Sequence, residues 1–179
     1  MVDDNEINKL ISSLSQKTEN CYQNRKMCCS ESILYTFNQG LHCGLPDEKA
    51  IRLGSGMCGG MGAGGGCGAL NAAIMVVGML LTSGPGGKPK KKIRAAAAEL
   101  REKFKKRFQY EKCQDLTESQ KGNRQARLRH CQQITRTSAE LAARIILQNR
   151  PELVYSSDQE FLKNHDSRIT GLLKRILPF

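Results

Sequence analysis

Eight cysteines, at positions 21, 28, 29, 43, 58, 67, 113 and 131, are the side chains of this 179-residue chain best able to do chemistry. None falls in a C-x-x-C pair, so zinc ribbons, zinc fingers and thioredoxin-type motifs are disfavoured, and a shared site has to be assembled by folding. The opening residues Met1-Val2-Asp3-Asp4 lack the basic and apolar regions of a secretory signal, which leads to the expectation of a cytoplasmic protein. Structural disulfides are rare in that reducing compartment, and many cysteines there point to metal or redox chemistry. The plainer reading is that several are small buried hydrophobes.

Cys67 has its own physical argument. It follows Gly64-Gly65-Gly66 and opens a helix, where unpaired backbone N–H groups and the helix dipole favour a thiolate. If the chain is a thiol reductase, Cys67 is the attacking sulfur. Cys29 and Cys131 fall on inward helix faces, and Cys113 lies on a loop. Four thiolates from Cys29, Cys67, Cys113 and Cys131 suit an iron–sulfur cluster, with [2Fe–2S] placed ahead of [4Fe–4S], or a tetrahedral Zn²⁺. On spacing alone, inert core cysteines compete with this shared site. His42 and His130 each precede a cysteine and read as polar surface, and His165 has no constellation around it. No Ser–His–Asp set, carboxylate pair, P-loop or dinucleotide fingerprint is present, so the residues do not establish an enzyme.

The elements that must position these sulfurs are helical. Aromatic residues make up 5 % of the chain and Trp is absent, while Ala, Gly and Leu carry the apolar content. Ile7, Leu10, Ile11 and Leu14 form one stripe of a helix over about 4–18, and Cys29, Ile33, Phe37 and Leu41 share a face over about 27–41. Cys28 points about 100° away from Cys29 and so is left out of their site. Leu45-Pro46-Asp47-Glu48 starts a short helix running to about Leu53.

A glycine-rich loop from Gly54 to Leu70 follows, against which something must sit, and Gly59, Gly60, Gly62 and Gly66 are its candidate cofactor-binding positions. It feeds a helix over about 67–81 that is apolar all round apart from Asn71 and belongs inside a bundle. At ~1.5 Å per residue this helix reaches ~22 Å, short of a ~30 Å hydrocarbon core.

A Gly- and Pro-rich linker separates it from a basic helix over about 90–109. A further helix, over about 124–148, sets Leu128, Cys131, Ile134 or Thr135, Ser138, Leu141 or Ala142, and Ile145 on one stripe. The tail from Pro151 reads as a turn and an amphipathic helix with Phe161, Ile169, Leu172, Leu173 and Ile176 on its apolar side. The expected architecture is an all-α bundle of about five to seven helices, with a cysteine-bearing domain at 1–150 and a helical extension at 151–179 packed on it or used for a homodimer.

Charge is concentrated. Between Lys88 and Arg136 lie 16 Lys and Arg against 5 Asp and Glu, the whole of the +11 net charge. Such a face would dock an acidic redox partner. Nucleic-acid binding is the weaker reading, since no helix-turn-helix signature or aromatic stacking platform accompanies the charge.

The run Met27-Cys-Cys-Ser-Glu-Ser-Ile-Leu34, then Ala50 to Gly62 with Met57-Cys58-Gly59-Gly60, then Cys67-Gly-Ala-Leu-Asn-Ala-Ala-Ile-Met75, Lys112-Cys113 and His130-Cys131 resembles the redox-active protein family named for its C-GCAxxG-C-C pattern. The resemblance spans roughly Cys21 to Leu147. It implies that the four pattern cysteines are Cys29, Cys67, Cys113 and Cys131, the set already chosen from helix faces. Split-Soret cytochromes carry a similar helical domain with an iron–sulfur centre, which places a cluster ahead of bare dithiol chemistry. Their haem attachment motif, C-x-x-C-H, is missing here. The chain also departs from the pattern at Ala72, where the family has glycine, and near Met57 and Cys58. Cys21, Cys28, Cys43 and Cys58 are additional to it, and Cys58 is a candidate fifth ligand or resolving thiol. A structural bundle holding Zn²⁺ or Cu(I) on its thiolates is the remaining alternative.

Overall fold

A computed structural model describes residues 2–82 and 87–164. Among these residues the chain is all α-helical, with a single isolated bridge between Gly66 and Lys112 in place of a sheet. Helix α1 (Asp4–Asn24) starts at Asp3, whose carboxylate accepts the Asn5 N–H at 3.0 Å. It runs a turn and a half past the expected end at Thr18, because Thr18 and Cys21 extend the buried stripe of Leu10, Ile11 and Leu14. Helix α2 (Cys29–Leu41) is buried on most of its surface, from Ile33 and Phe37 to Thr36. Helix α3 (Asp47–Ser55) packs beside it.

The glycine-rich stretch is wound into a tight turn over Gly60–Gly64, where Met61 and Gly62 have φ of 59° and 71°. Beyond it, α4 (Gly68–Thr82) is the centre of the bundle, in contact with α2, with α5 (Lys90–Phe108) and with α7 (Arg124–Asn149). Ala69, Ala72, Ala73, Val76, Val77 and Leu81 are all fully buried, so the uncharged helix does lie in the core. Small side chains on its first turns let the neighbouring backbones approach closely. No helix of the described residues is long and apolar enough to cross a membrane.

Helix α7 packs most extensively on α1 and buries Ile134, Thr135, Ser138, Ala142 and Ile145 along the expected stripe. The hydroxyls of Thr135 and Ser138 donate back to the carbonyls of Cys131 and Ile134, at 2.7 and 2.8 Å, which satisfies them in an apolar setting. Leu128, placed on that stripe from the sequence, is instead exposed on the first turns of α7, ahead of the buried run. Between α5 and α7 the expected loop holds a short helix, α6 (Cys113–Leu116).

Two short helices, α8 (Leu153–Ser156) and α9 (Gln159–Lys163), follow. Leu153 and Leu162 join the same buried cluster as the rest of the core, and Leu162 sits where a Cβ on Gly40 would come within 3.0 Å. The positions Ile169, Leu172, Leu173 and Ile176, and His165, lie outside the described residues.

Candidate functional site

Each of four cysteines is delivered by a different local device. Cys29 is the first residue of α2, and the Glu31 carboxylate accepts the N–H of Cys28 at 2.8 Å to start that helix. Cys67 and Cys113 are placed together by a short antiparallel pairing of backbones. The Cys67 N–H donates to the Glu111 carbonyl at 2.8 Å, the Cys113 N–H to the Gly65 carbonyl at 2.6 Å, and Gly66 faces Lys112 between them. Cys131 sits one helical turn inside α7 from Arg127.

Two glycines make the approach of these segments feasible. A Cβ on Gly60, where φ is +68°, would stand 2.6 Å from the Cys113 Cβ and 2.8 Å from Gly65 backbone. A Cβ on Gly68 would stand 2.7 Å from the Met57 carbonyl oxygen and 3.1 Å from the Cys29 sulfur. What sits against the glycine segment is therefore the chain's own cysteine-bearing backbone. Of the other glycines marked from the sequence, Gly66 lies against the Asn71 side chain, whereas Gly59 and Gly62 have open space where a Cβ would be.

The sulfurs act on one another. Burial raises the Cys29 thiol to about 12, helped by Cys67 and Cys131 and, more weakly, Cys113. Burial also raises Cys67, to about 11, with Cys113 and Cys131 adding to the effect. Cys131 is raised by burial and then by Cys113, against the pull of Arg127, which hydrogen-bonds it. All six pairings among the four are thus within electrostatic reach. The Leu70 and Ala69 N–H groups do favour a Cys67 thiolate, as expected of a helix start, but desolvation outweighs them and the thiol is held protonated. The expectation of a lowered Cys67 pKa is corrected on that point.

Two residues not singled out from the sequence belong to this pocket. The Tyr22 hydroxyl is raised by burial and then by Cys131 and Cys29, which places it among the sulfurs. Its signal was available: it lies one turn after Thr18, a position visible only once the helix is carried past that residue. The other is Arg127, the cation beside Cys131.

A family model described as "putative redox-active protein (C_GCAxxG_C_C)" matches residues 27–145, more than half of the chain. The chain belongs to this family. No curated protein matches the chain, and no solved structure does. The family match covers all four converging cysteines and every element that positions them except α1, which contributes Tyr22 from outside it.

A second cysteine group adjoins the first through Cys28, the chain neighbour of Cys29. Cys28 and Cys58 form a disulfide with their Cα atoms 5.9 Å apart. With Glu31 they make a group whose ligand atoms all lie within 4.8 Å of one another, so the trio has the donors for a metal ion when its two sulfurs are reduced. No three of Cys29, Cys67, Cys113 and Cys131 form so tight a group among the described residues. Cys21 is buried in the core, where the Thr36 hydroxyl donates to its sulfur at 3.8 Å. Cys43 is raised to about 12 by burial alone and stands apart from both groups. His42 ends α2 in the left-handed conformation, and His130 precedes Cys131 on α7, with neither among the residues coupled to the sulfurs.

Proposed function

We propose that this member of the redox-active family is a one-electron carrier in which Cys29, Cys67, Cys113 and Cys131 hold an iron–sulfur cluster. The observation that carries the reading is the convergence of cysteines from separate segments: backbone hydrogen bonds beside the Gly66–Lys112 bridge place Cys67 with Cys113, Gly60 and Gly68 let Cys113 and Cys29 come close, and Cys131 lies within electrostatic reach of the other three. Buried thiols are stable as neutral groups, and a bound cation is what would draw the four into the thiolate form with release of their protons. Burial and mutual repulsion then favour coordination over four free anions.

A cluster, which takes four thiolate ligands, is placed ahead of a single Zn²⁺, with [2Fe–2S] the form placed first. When bound it would accept or release one electron at a time.

The protein's own residues set the rest. Burial of Cys67 keeps water from its sulfur, and Cys29, Cys113 and Cys131 are half-buried. Arg127 next to Cys131 favours added negative charge, and Tyr22 fills the side formed by α1. Exposed Lys90, Lys91, Lys92, Arg94, Lys105, Lys106 and Arg107 on α5 would receive an acidic protein partner. Anaerobic reconstitution with ferrous iron and sulfide, followed by visible absorption, tests the reading. The parent should develop charge-transfer bands that Cys131→Ser does not. A parent that stays colourless, or takes up zinc alone, contradicts it.

A further inference from the structure

The Cys28–Cys58 disulfide is used by nothing in the four-thiol site, and its surroundings differ from those of a buried structural cross-link. Both sulfurs are half-buried, with exposed Ser55, Gly56 and Gly59 beside Cys58. Cys28 is the N-cap of the 13-residue helix α2, its sulfur facing the backbone N–H of Glu31. The Ser30 hydroxyl stands 3.2 Å from the Cys28 sulfur and 3.9 Å from that of Cys58. The two segments are also held together without the sulfur bond. Ser30 donates to the Gly54 carbonyl at 2.7 Å, Ser55 to the Glu31 carboxylate at 2.6 Å, and Gly54 packs directly on Glu31 backbone. Breaking the S–S bond therefore leaves the two cysteines side by side, ready to re-form it.

We propose that Cys28 and Cys58 are a reversible dithiol–disulfide couple that exchanges two electrons with an external dithiol at the surface, independently of what the four inner thiols hold. A donor thiolate attacks the Cys58 sulfur, which lies on the open side, and forms a mixed disulfide. The Cys28–Cys58 bond breaks, and Cys28 leaves with the electron pair, its sulfur facing the Glu31 N–H. The donor's second thiolate then attacks its own sulfur in the mixed disulfide and releases Cys58. Two electrons have passed to the pair, the donor departs as a disulfide, and its two protons end on Cys28 and Cys58. The reverse sequence reduces the donor's disulfide back to the dithiol and re-forms the Cys28–Cys58 bond.

The test uses the full chain, folded, in mixtures of reduced and oxidised dithiothreitol, with free thiols alkylated and peptides mapped by mass spectrometry. Circular dichroism in each mixture reports that the helices persist. The couple is supported if Cys28 and Cys58 lose and regain their link together, two thiols per chain, with the helical signal unchanged. A second arm adds excess glutathione as a monothiol, which should be trapped on Cys58 with Cys28 free. A link that resists dithiothreitol until denaturant is added would make the bond a structural staple and overturn the proposal. So would the absence of a linked Cys28–Cys58 peptide under oxidising conditions, and an adduct on Cys28 would overturn the assigned order of attack.

Discussion

Cys28 and Cys29 are joined by one peptide bond, yet they belong to two cysteine groups with different neighbours. Cys29 lies with Cys67 and Cys131 where desolvation and neighbouring sulfurs hold thiols protonated. Cys28 precedes the same helix as its N-cap, bonded to Cys58, with its sulfur facing a backbone N–H. The direction of successive side chains at a helix start divides the two, and the environment then assigns each a chemistry. Buried thiols need a cation to become ligands, whereas a half-buried disulfide pair needs only a thiol partner.

The largest effect on the inner group should come from its glycines. Gly60→Ala or Gly68→Ala forces a Cβ to within 3 Å of Cys113 or of Met57 backbone, respectively. Each should cost about 1–3 kcal/mol in chemical denaturation and reduce metal uptake, with the Cys28–Cys58 link intact. Gly78→Ala, in α4 with nothing within 4 Å of the new Cβ, is the control and should be neutral or stabilising by about 0.5–1 kcal/mol. If all three behave alike, the close approach is not what assembles the pocket.

A smaller effect isolates burial from sulfur–sulfur coupling. Cys43 is raised from 9.0 to about 12 by burial alone. Because the thiolate is the reactive form, Cys43 in the folded protein should alkylate at pH 8 at least ~10-fold more slowly than in denaturant. The sign for stability follows from the same shift. The folded state keeps the proton longer, so the contribution is whole below pH 9 and is lost as pH rises towards 12. Equilibrium unfolding across that range should fall less steeply in Cys43→Ser, and identical slopes would remove burial as the cause.

The smallest effect concerns tuning. Arg127→Ala removes the cation beside Cys131 and should lower the reduction potential of a reconstituted cluster by on the order of tens of millivolts. An unchanged or higher potential in voltammetry would show that Arg127 does not act on the site.

Much of this division was legible in the sequence, and its limits have physical causes. Apolar periodicity found the long helices, since burial of one face is what that periodicity records, while Cys29 and Cys131, placed on inward faces, are half-buried. The glycine run was recognised as a place of close approach. What approaches it was not, because the Gly66–Lys112 pairing joins segments with no local pattern in common. Cys28 was excluded from the inner site on helix geometry, yet its partner was hidden. Pairing across thirty residues depends on the left-handed turn at Gly59 and Gly60 and the packing of Gly54, which no spacing reports. Leu128 was misplaced because helix periodicity continues past the point where α7 leaves the core.

Iron and acid-labile sulfide per chain, measured on anaerobically purified parent, Cys67→Ser and Cys58→Ser, test the central claim most directly. The account expects iron, sulfide and visible colour in the parent and in Cys58→Ser, and their loss in Cys67→Ser. Equal iron in all three proteins, or loss on Cys58→Ser with retention on Cys67→Ser, would contradict it.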